Sequence, residues 1–129
     1  MAIALAACGS YRRGELSEEE ANAYPTNAKS EILAFMHSYL NDPTNVRDAS
    51  IAEPVLRPIA SRNRYIVCVR FNAKESSGRY SGIRDGMAIF LRGRFDQFVE
   101  QARESAELVR SACAQAEFKR FPELETMAR

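Results

Sequence analysis

The sequence "RNRYIVCVRFNAK", residues 62–74, contains the strongest strand pattern in the chain. Its odd-numbered positions from 65 to 71 are all aromatic or β-branched. Its even-numbered positions change from apolar at Ile66 and Cys68 to polar at Arg70 and Asn72. Alternation with a period of two predicts a β-strand with one buried face. We expect the even-numbered face to be only partly covered.

Two hairpins are expected after this strand. The loop "ESSGRYSG", residues 75–82, contains two glycines that permit turn geometry, and a second strand is expected over residues 87–91. Arg92-Gly93 then predicts a turn into a third strand over residues 95–99. The residues after this turn also fit a helical period, which is the alternative. We favour the hairpin, followed by a helix over about residues 104–115, because Gly93 separates two strand-like runs.

The clearest helix lies in "TNAKSEILAFMHSYLNDP", residues 26–43, where apolar residues recur at three- and four-residue spacing from Ala28 to Leu40. Pro43 ends this helix, because the residue before a proline avoids the α region. The segment "IAEPVLRPI", residues 51–59, contains two prolines and predicts an edge strand or an extended segment. The segment "FKRFPELE" near the C-terminus predicts a short extended stretch whose phenylalanines, Phe118 and Phe121, pack on the core.

Together these elements predict an α+β fold: a small antiparallel sheet with an N-terminal amphipathic helix and a shorter C-terminal helix. We expect the helices to cover one face of the sheet. The length of 129 residues is that of one domain, and it buries roughly two thirds of the surface of the unfolded chain.

Charge is distributed in three blocks, although the net charge is only +1. Residues 1–56 hold four Lys/Arg against eight Asp/Glu, residues 57–94 hold nine against two, and residues 95–129 hold five against seven. The basic middle block predicts a surface for an anionic partner. The candidate binding surface consists of Arg70, Lys74, Arg79, Tyr80 and Arg84.

An anionic component of a cell envelope or an acidic protein fits this surface. Nucleic acid is not expected as a partner, because other features of the sequence indicate export. The alternative is an ordinary solvated basic surface whose charge the acidic flanks offset. The sequence leaves the oligomeric state open.

The stretch "LAAC", residues 5–8, resembles the lipobox of bacterial lipoproteins, in which a leucine and two small residues precede a cysteine. In that family the signal peptide is cut before the cysteine and the thiol is acylated, so the resemblance implies lipidation of Cys8. Only seven residues precede Cys8 and none is basic, whereas a signal peptide normally has a basic region and a longer apolar segment. We interpret residues 1–7 as a partial signal peptide. An ordinary alanine-rich N-terminus is the alternative.

Residues 8–25 are mostly polar, and they include the acidic run at residues 18–20. We interpret them as a lipid-anchor tether that leads into a single α+β periplasmic domain over residues 26–129. Gly9 is compatible with outer-membrane sorting, by analogy with lipoproteins that an aspartate at this position retains in the inner membrane. The expected location is the bacterial cell envelope, with the protein lipid-anchored in the outer membrane and facing the periplasm.

The three cysteines also need an explanation, because an odd count is unusual in an exported protein. If Cys8 carries lipid, Cys68 and Cys113 are left to form a disulfide, which closes a loop of about 45 residues. Two buried thiols are the alternative.

His37 is the only histidine, and it lies at the boundary of the apolar face of the predicted helix. One histidine does not build a zinc site of the usual kind, and the local sequence lacks a nucleophile motif, so we expect a structural role. The sequence predicts no catalytic residue, no metal site and no cofactor. The expected function is a non-enzymatic scaffold, assembly or interaction module of the cell envelope. A periplasmic inhibitor or ligand-binding domain that uses the Arg-rich loop is the alternative.

Three stretches, "FMHSYLNDPTNVRD", "RYIVCVRFNAKESSGRYSG" and "FKRFPELE", resemble a family of uncharacterised proteobacterial lipoproteins. The shared features are an L-x-DP after a helix, a VCVRxNAK strand and a GxYxG loop. The resemblance spans roughly residues 24–125. It implies export and lipidation, and it carries no catalytic residues onto this chain.

Overall fold

The computed structural model describes residues 16–129, which form a six-stranded antiparallel sheet with short helices. The α+β fold predicted from the sequence is confirmed. The strands are β1 (Asp42–Ile51), β2 (Val55–Ile59), β3 (Arg62–Lys74), β4 (Arg84–Leu91), β5 (Arg94–Glu100) and β6 (Lys119–Arg120). The helices are α1 (Glu18–Ala21), α2 (Ala28–Tyr39), α3 (Ala106–Ala112) and α4 (Pro122–Glu125), with a 3₁₀ turn at Arg103–Ser105 before α3.

The long strand β3 organises the sheet, whose order is β5-β4-β3-β1-β6. One edge of β3 pairs with β4 from Tyr65 to Phe71. Its other edge is shared by two strands, since β2 pairs with residues 62–66 and β1 pairs with residues 69–74. The alternating segment at residues 62–74 is therefore the element on which the other strands assemble.

Each face of the sheet carries its own hydrophobic core. On one face α2 contributes Ile32 and Met36, which pack against Val67 and Val69 of β3. On the other face α3 contributes Val109, and the residues beside it include Ile66, Cys68, Met87, Ile89, Ala112 and Cys113. The prediction that the helices cover one face of the sheet is wrong, because α2 and α3 pack on opposite faces. Cys113 follows α3 and pairs with Cys68, whose side chain points away from Val67 and Val69, so α3 packs on that second face.

Strand β1 was not predicted, because two irregularities disrupt its alternation. The register with β3 shifts between Asp42 and Arg47 and again between Arg47 and Ser50. Asn45 and Asp48 adopt left-handed backbone conformations, with φ of 58° and 54°. Extra residues at a bulge change which side chains face the core, so a strict period of two no longer describes the strand.

Most of the remaining elements agree with the sequence. The Arg92-Gly93 turn and strand β5 confirm the hairpin rather than a helix at residues 95–99. Helix α3, which was expected over about residues 104–115, is shorter and ends at Ala112. Phe121 is fully buried in the core, as expected. The short helix α4 that follows it was not predicted from the sequence.

The segment expected as a tether is partly folded onto the domain. Ser17 and Glu20 form a capping box at the start of α1, and both Ala21 and Pro25 are buried. The amide of Arg92 donates to the carbonyl of Ala21 at 2.8 Å. The folded part therefore begins before residue 26, because Ala21 and Pro25 pack on the domain. The mostly polar residues around them gave no sign of this contact in the sequence. Residues 1–15, including Cys8, lie outside the described residues. Within residues 16–129, no helix has both the length and the apolar character that a membrane crossing requires.

Gly86 on β4 makes room for an aromatic ring of β5. A Cβ at this position would lie 2.3 Å from Cζ of Phe98. We predict that Gly86→Ala displaces the ring and lowers the free energy of unfolding by about 1–3 kcal/mol, as overpacking does elsewhere. Urea denaturation of the variant measures this loss. Adding Phe98→Leu removes the clashing ring atoms, so the double variant should lose less than the sum of the single changes. Additive losses would contradict the prediction.

Candidate functional site

The structure brings Cys68 and Cys113 together as a disulfide, with their Sγ atoms 2.05 Å apart and their Cα atoms 5.9 Å apart. The predicted pairing is confirmed. The bond joins the middle of β3 to the end of α3, and both cysteines are buried. The disulfide therefore fixes α3 on the sheet face opposite to α2.

A cleft of about 320 Å³ lies beside this disulfide, between the β1–β2 connection and the segment that follows α3. Its charged side chains are balanced, with Glu53 and Glu117 against Arg57 and Lys119. This balance gives the cleft no preference for a ligand of one charge sign.

The acidic and basic blocks of the sequence meet in the structure. Three carboxylates from residues 1–56 pair with cations from residues 57–94. The pairs are Glu18 with Arg64 at 3.2 Å, Asp42 with Lys74 at 4.0 Å, and Glu31 with Arg94. Three of the nine cations in residues 57–94 are therefore paired with the acidic flank, which is the kind of offset that the alternative of a solvated basic surface describes.

The candidate binding surface does not form one site. Arg70 donates to both carboxylate oxygens of Asp85, its cross-strand neighbour, at 2.6 and 3.1 Å. Its guanidinium also lies 4.1 Å from the ring centroid of Phe118. The Asp85 hydrogen bond raises the pKa of Arg70. Arg70 is thus a cross-strand structural pair, and its charge is compensated within the fold.

Arg84 lies on the other face of the sheet from Arg70, because its cross-strand partner is Phe71. It lines a cleft of about 290 Å³ together with Tyr39 and Phe98. Burial, and then a hydrogen bond with Glu100, raise the pKa of Tyr39, so its hydroxyl stays protonated to a higher pH than that of an ordinary tyrosine. Arg79 lies elsewhere, in the exposed loop between β3 and β4.

Lys74 and Tyr80 do come together, and they are joined by Arg47. The guanidinium carbon of Arg47 lies 3.9 Å from the ring centroid of Tyr80, and Nζ of Lys74 lies 5.6 Å from it. We call these three residues the Arg47–Tyr80 cluster. They line a shallow cleft of about 420 Å³, which also includes Asn45 and Glu125.

Asp42, the carboxylate nearest to Lys74, is held in its ionised form. The hydroxyl and the amide of Thr44 donate to Oδ1 of Asp42 at 2.5 and 2.9 Å. These bonds, the hydroxyl bond first, lower the pKa of Asp42. Because the shift is downward, Asp42 keeps its charge until the pH falls below the ordinary range of an aspartate.

Sequence reasoning missed Arg47, which lies outside the basic middle block. A signal was present in "NVRD", residues 45–48, because Asn and Asp are the non-glycine residues that most readily adopt left-handed backbone conformations. Their flanking positions indicate a local distortion that redirects the side chain between them. His37, the other singled-out residue, lies on the exposed side of α2. Among the described residues, no cluster of three His, Cys, Asp or Glu side chains is placed to hold a metal ion.

Comparison with known proteins leaves the assignment to the geometry. The chain matches no protein-family model, and searches of curated proteins and of solved structures find no match.

Proposed function

We propose that this protein is a non-enzymatic lipoprotein of the bacterial cell envelope that acts as a scaffold, assembly or interaction module. A lipid on Cys8 attaches it to the outer membrane, and the folded domain faces the periplasm. The resemblance of residues 5–8 to a lipobox supports the attachment.

The Cys68–Cys113 disulfide is the observation that carries this proposal. Structural disulfides persist in oxidising compartments such as the bacterial periplasm and are rare in the cytosol, where thiols are kept reduced. With these two cysteines paired, Cys8 is the one cysteine left for acylation.

Labelling with radioactive palmitate in the native cell tests the attachment. We expect label on the wild-type chain and none on Cys8→Ser, while Cys68→Ser, the matched control, keeps its label. Alkylation before lysis should find Cys68 and Cys113 protected until a reductant is added. Label that persists on Cys8→Ser removes the anchor, and two reactive thiols in the folded domain remove the periplasmic location.

A ligand-binding or inhibitory domain is the second candidate, and two exposed arginines favour it: Arg79 in the loop between β3 and β4, and Arg84 at the start of β4. Within the described chain, Arg79 and Arg84 have no carboxylate within 4.0 Å, so their charges are available to a partner. The variant that combines Arg79→Glu with Arg84→Glu should lose an envelope partner in affinity capture. An unchanged set of captured proteins excludes this candidate.

A further inference from the structure

We propose that the Arg47–Tyr80 cluster is a binding site for a phosphate monoester. The site gives the proposed interaction module a ligand class. It rests on the proposed function only for the compartment in which the protein encounters the ligand, because binding itself needs neither the lipid nor the membrane.

Arg47 has the position that a phosphate receptor needs. Its guanidinium carbon lies over the face of the Tyr80 ring, a placement in which a guanidinium can still offer the N–H groups at its edge to an anion. Among residues 16–129, no Asp or Glu oxygen lies within 4.0 Å of Arg47. The side chain is therefore ordered by its aromatic neighbour while its charge remains uncompensated by a direct ion pair.

Three features hold this arrangement in place. The hydroxyl of Tyr80 donates to the carbonyl of Asn45 at 2.7 Å, which ties the ring to the strand that carries Arg47. Tyr80 also forms a backbone bridge with Lys74 at the end of β3. Asn45 and Asp48 have left-handed backbones on either side of Arg47, a conformation that asparagine and aspartate adopt more readily than other non-glycine residues. These two residues set the local course of β1 at Arg47.

Lys74 supplies a second positive charge at the same ring. Its nearest carboxylate, Asp42, is 4.0 Å away and is shared with Arg129 at 3.6 Å. Glu125, the acid that lines the cleft, accepts from the amide of Ala49 at 3.0 Å and lies 3.9 Å from Arg120. Each of these acids also lies within 4.0 Å of an arginine outside the cluster. Four cations, Arg47, Lys74, Arg120 and Arg129, therefore face two carboxylates, and the charge of this group of side chains stays positive.

A phosphate monoester fits this pair of cations by charge and by shape. It carries between one and two negative charges at pH 7, and it has three free oxygens. A guanidinium binds two phosphate oxygens side by side, while a lysine ammonium binds as a point charge. One phosphate group can thus satisfy both cations. The cleft is shallow and open, which suits the terminal phosphate of a larger molecule.

Titration of the full chain, with its disulfide intact, tests the site. The soluble probe is glycerol 3-phosphate, and the membrane probe is vesicles that contain phosphatidic acid, compared with vesicles of phosphatidylcholine alone. NMR of the Arg47 side-chain Nε–H and the amides of residues 45–48 reports soluble binding, and vesicle flotation reports membrane binding. Response to the soluble ester supports the site with a soluble ligand, and response to phosphatidic acid vesicles alone supports it with a lipid headgroup.

The variants separate a built site from general attraction. Arg47→Gln should weaken binding about tenfold or more, as expected for lost charge-assisted hydrogen bonds. Tyr80→Phe keeps the ring and removes the hydroxyl that holds it, so it should cause a smaller loss. Arg62→Gln is the matched control, because it makes the same charge change at an exposed arginine that begins β3, whereas Lys74 ends that strand. At that distance screening leaves little effect, so less than a twofold loss is expected there.

Two results overturn the site. Equal losses in Arg47→Gln and Arg62→Gln show diffuse attraction, and no response to either probe shows that the cluster does not bind phosphate. Urea midpoints equal to that of the wild-type chain establish that each variant is folded. A chain that binds phosphate but takes no palmitate overturns only the envelope function, and a lipidated chain that ignores both probes overturns only this site.

Discussion

Reduction of the Cys68–Cys113 disulfide is expected to lower the free energy of unfolding by about 4 kcal/mol. The bond closes a loop with a sequence separation of 45, and the loss of this constraint increases the entropy of the unfolded chain. For a domain of this length the change corresponds to a fall of about 15 °C in Tm. Urea denaturation of the oxidised chain and of the reduced, alkylated chain measures the difference.

The Cys8→Ser variant is the control for this experiment, because it removes a thiol outside residues 16–129 and leaves the bond intact. It should unfold at the same urea concentration as the wild-type chain. Equal midpoints for the oxidised and the reduced forms would show that the bond does not stabilise the domain.

Phe121→Ala is expected to lower the free energy of unfolding by about 3–5 kcal/mol. The ring is fully buried in the core beneath α2, and its neighbour Leu124 on α4 is fully buried as well. The amide of Phe121 donates to the carbonyl of Ala49, so the residue also joins the C-terminal segment to β1. Thermal and urea denaturation both measure the loss.

Phe118→Ala is the matched control, since it removes the same side chain three residues earlier. Phe118 is only partly buried, and its ring packs against the guanidinium of Arg70. A smaller loss of about 1 kcal/mol is expected there. If the two variants were equally destabilised, burial in the α2 core would not explain the effect at Phe121.

The elements that the sequence predicted well are those in which local pattern and tertiary packing agree. Strand β3 pairs with β4 without a register shift, so its side chains keep one order along both faces. Gly93 has the positive φ that the turn into β5 needs. Strand β1 lacked a readable pattern because its bulges change which side chains face the core around Arg47. Helix α1 was missed although Ser17 and Glu20 have the S-x-x-E spacing of a capping box, because a single turn with one buried alanine shows no helical apolar period.

The face on which α3 packs was a different kind of error. The position of Cys68 among the even-numbered residues of β3 already placed Cys113 on the face opposite to Val67. The expected disulfide and the expected single covered face were therefore inconsistent with each other. For the candidate site, the sequence identified Lys74 and Tyr80, but their third partner comes from a distant strand that only the register of the sheet brings close.

The docking of residues 17–25 on the domain limits the reach of a lipid-attached protein. If Cys8 carries the lipid, only eight residues separate it from Ser17, where the capping box begins. Fully extended, that many residues span about 30 Å at most. The domain would then work within one small-protein diameter of the lipid surface, and its partners would have to be found there rather than across the periplasmic space.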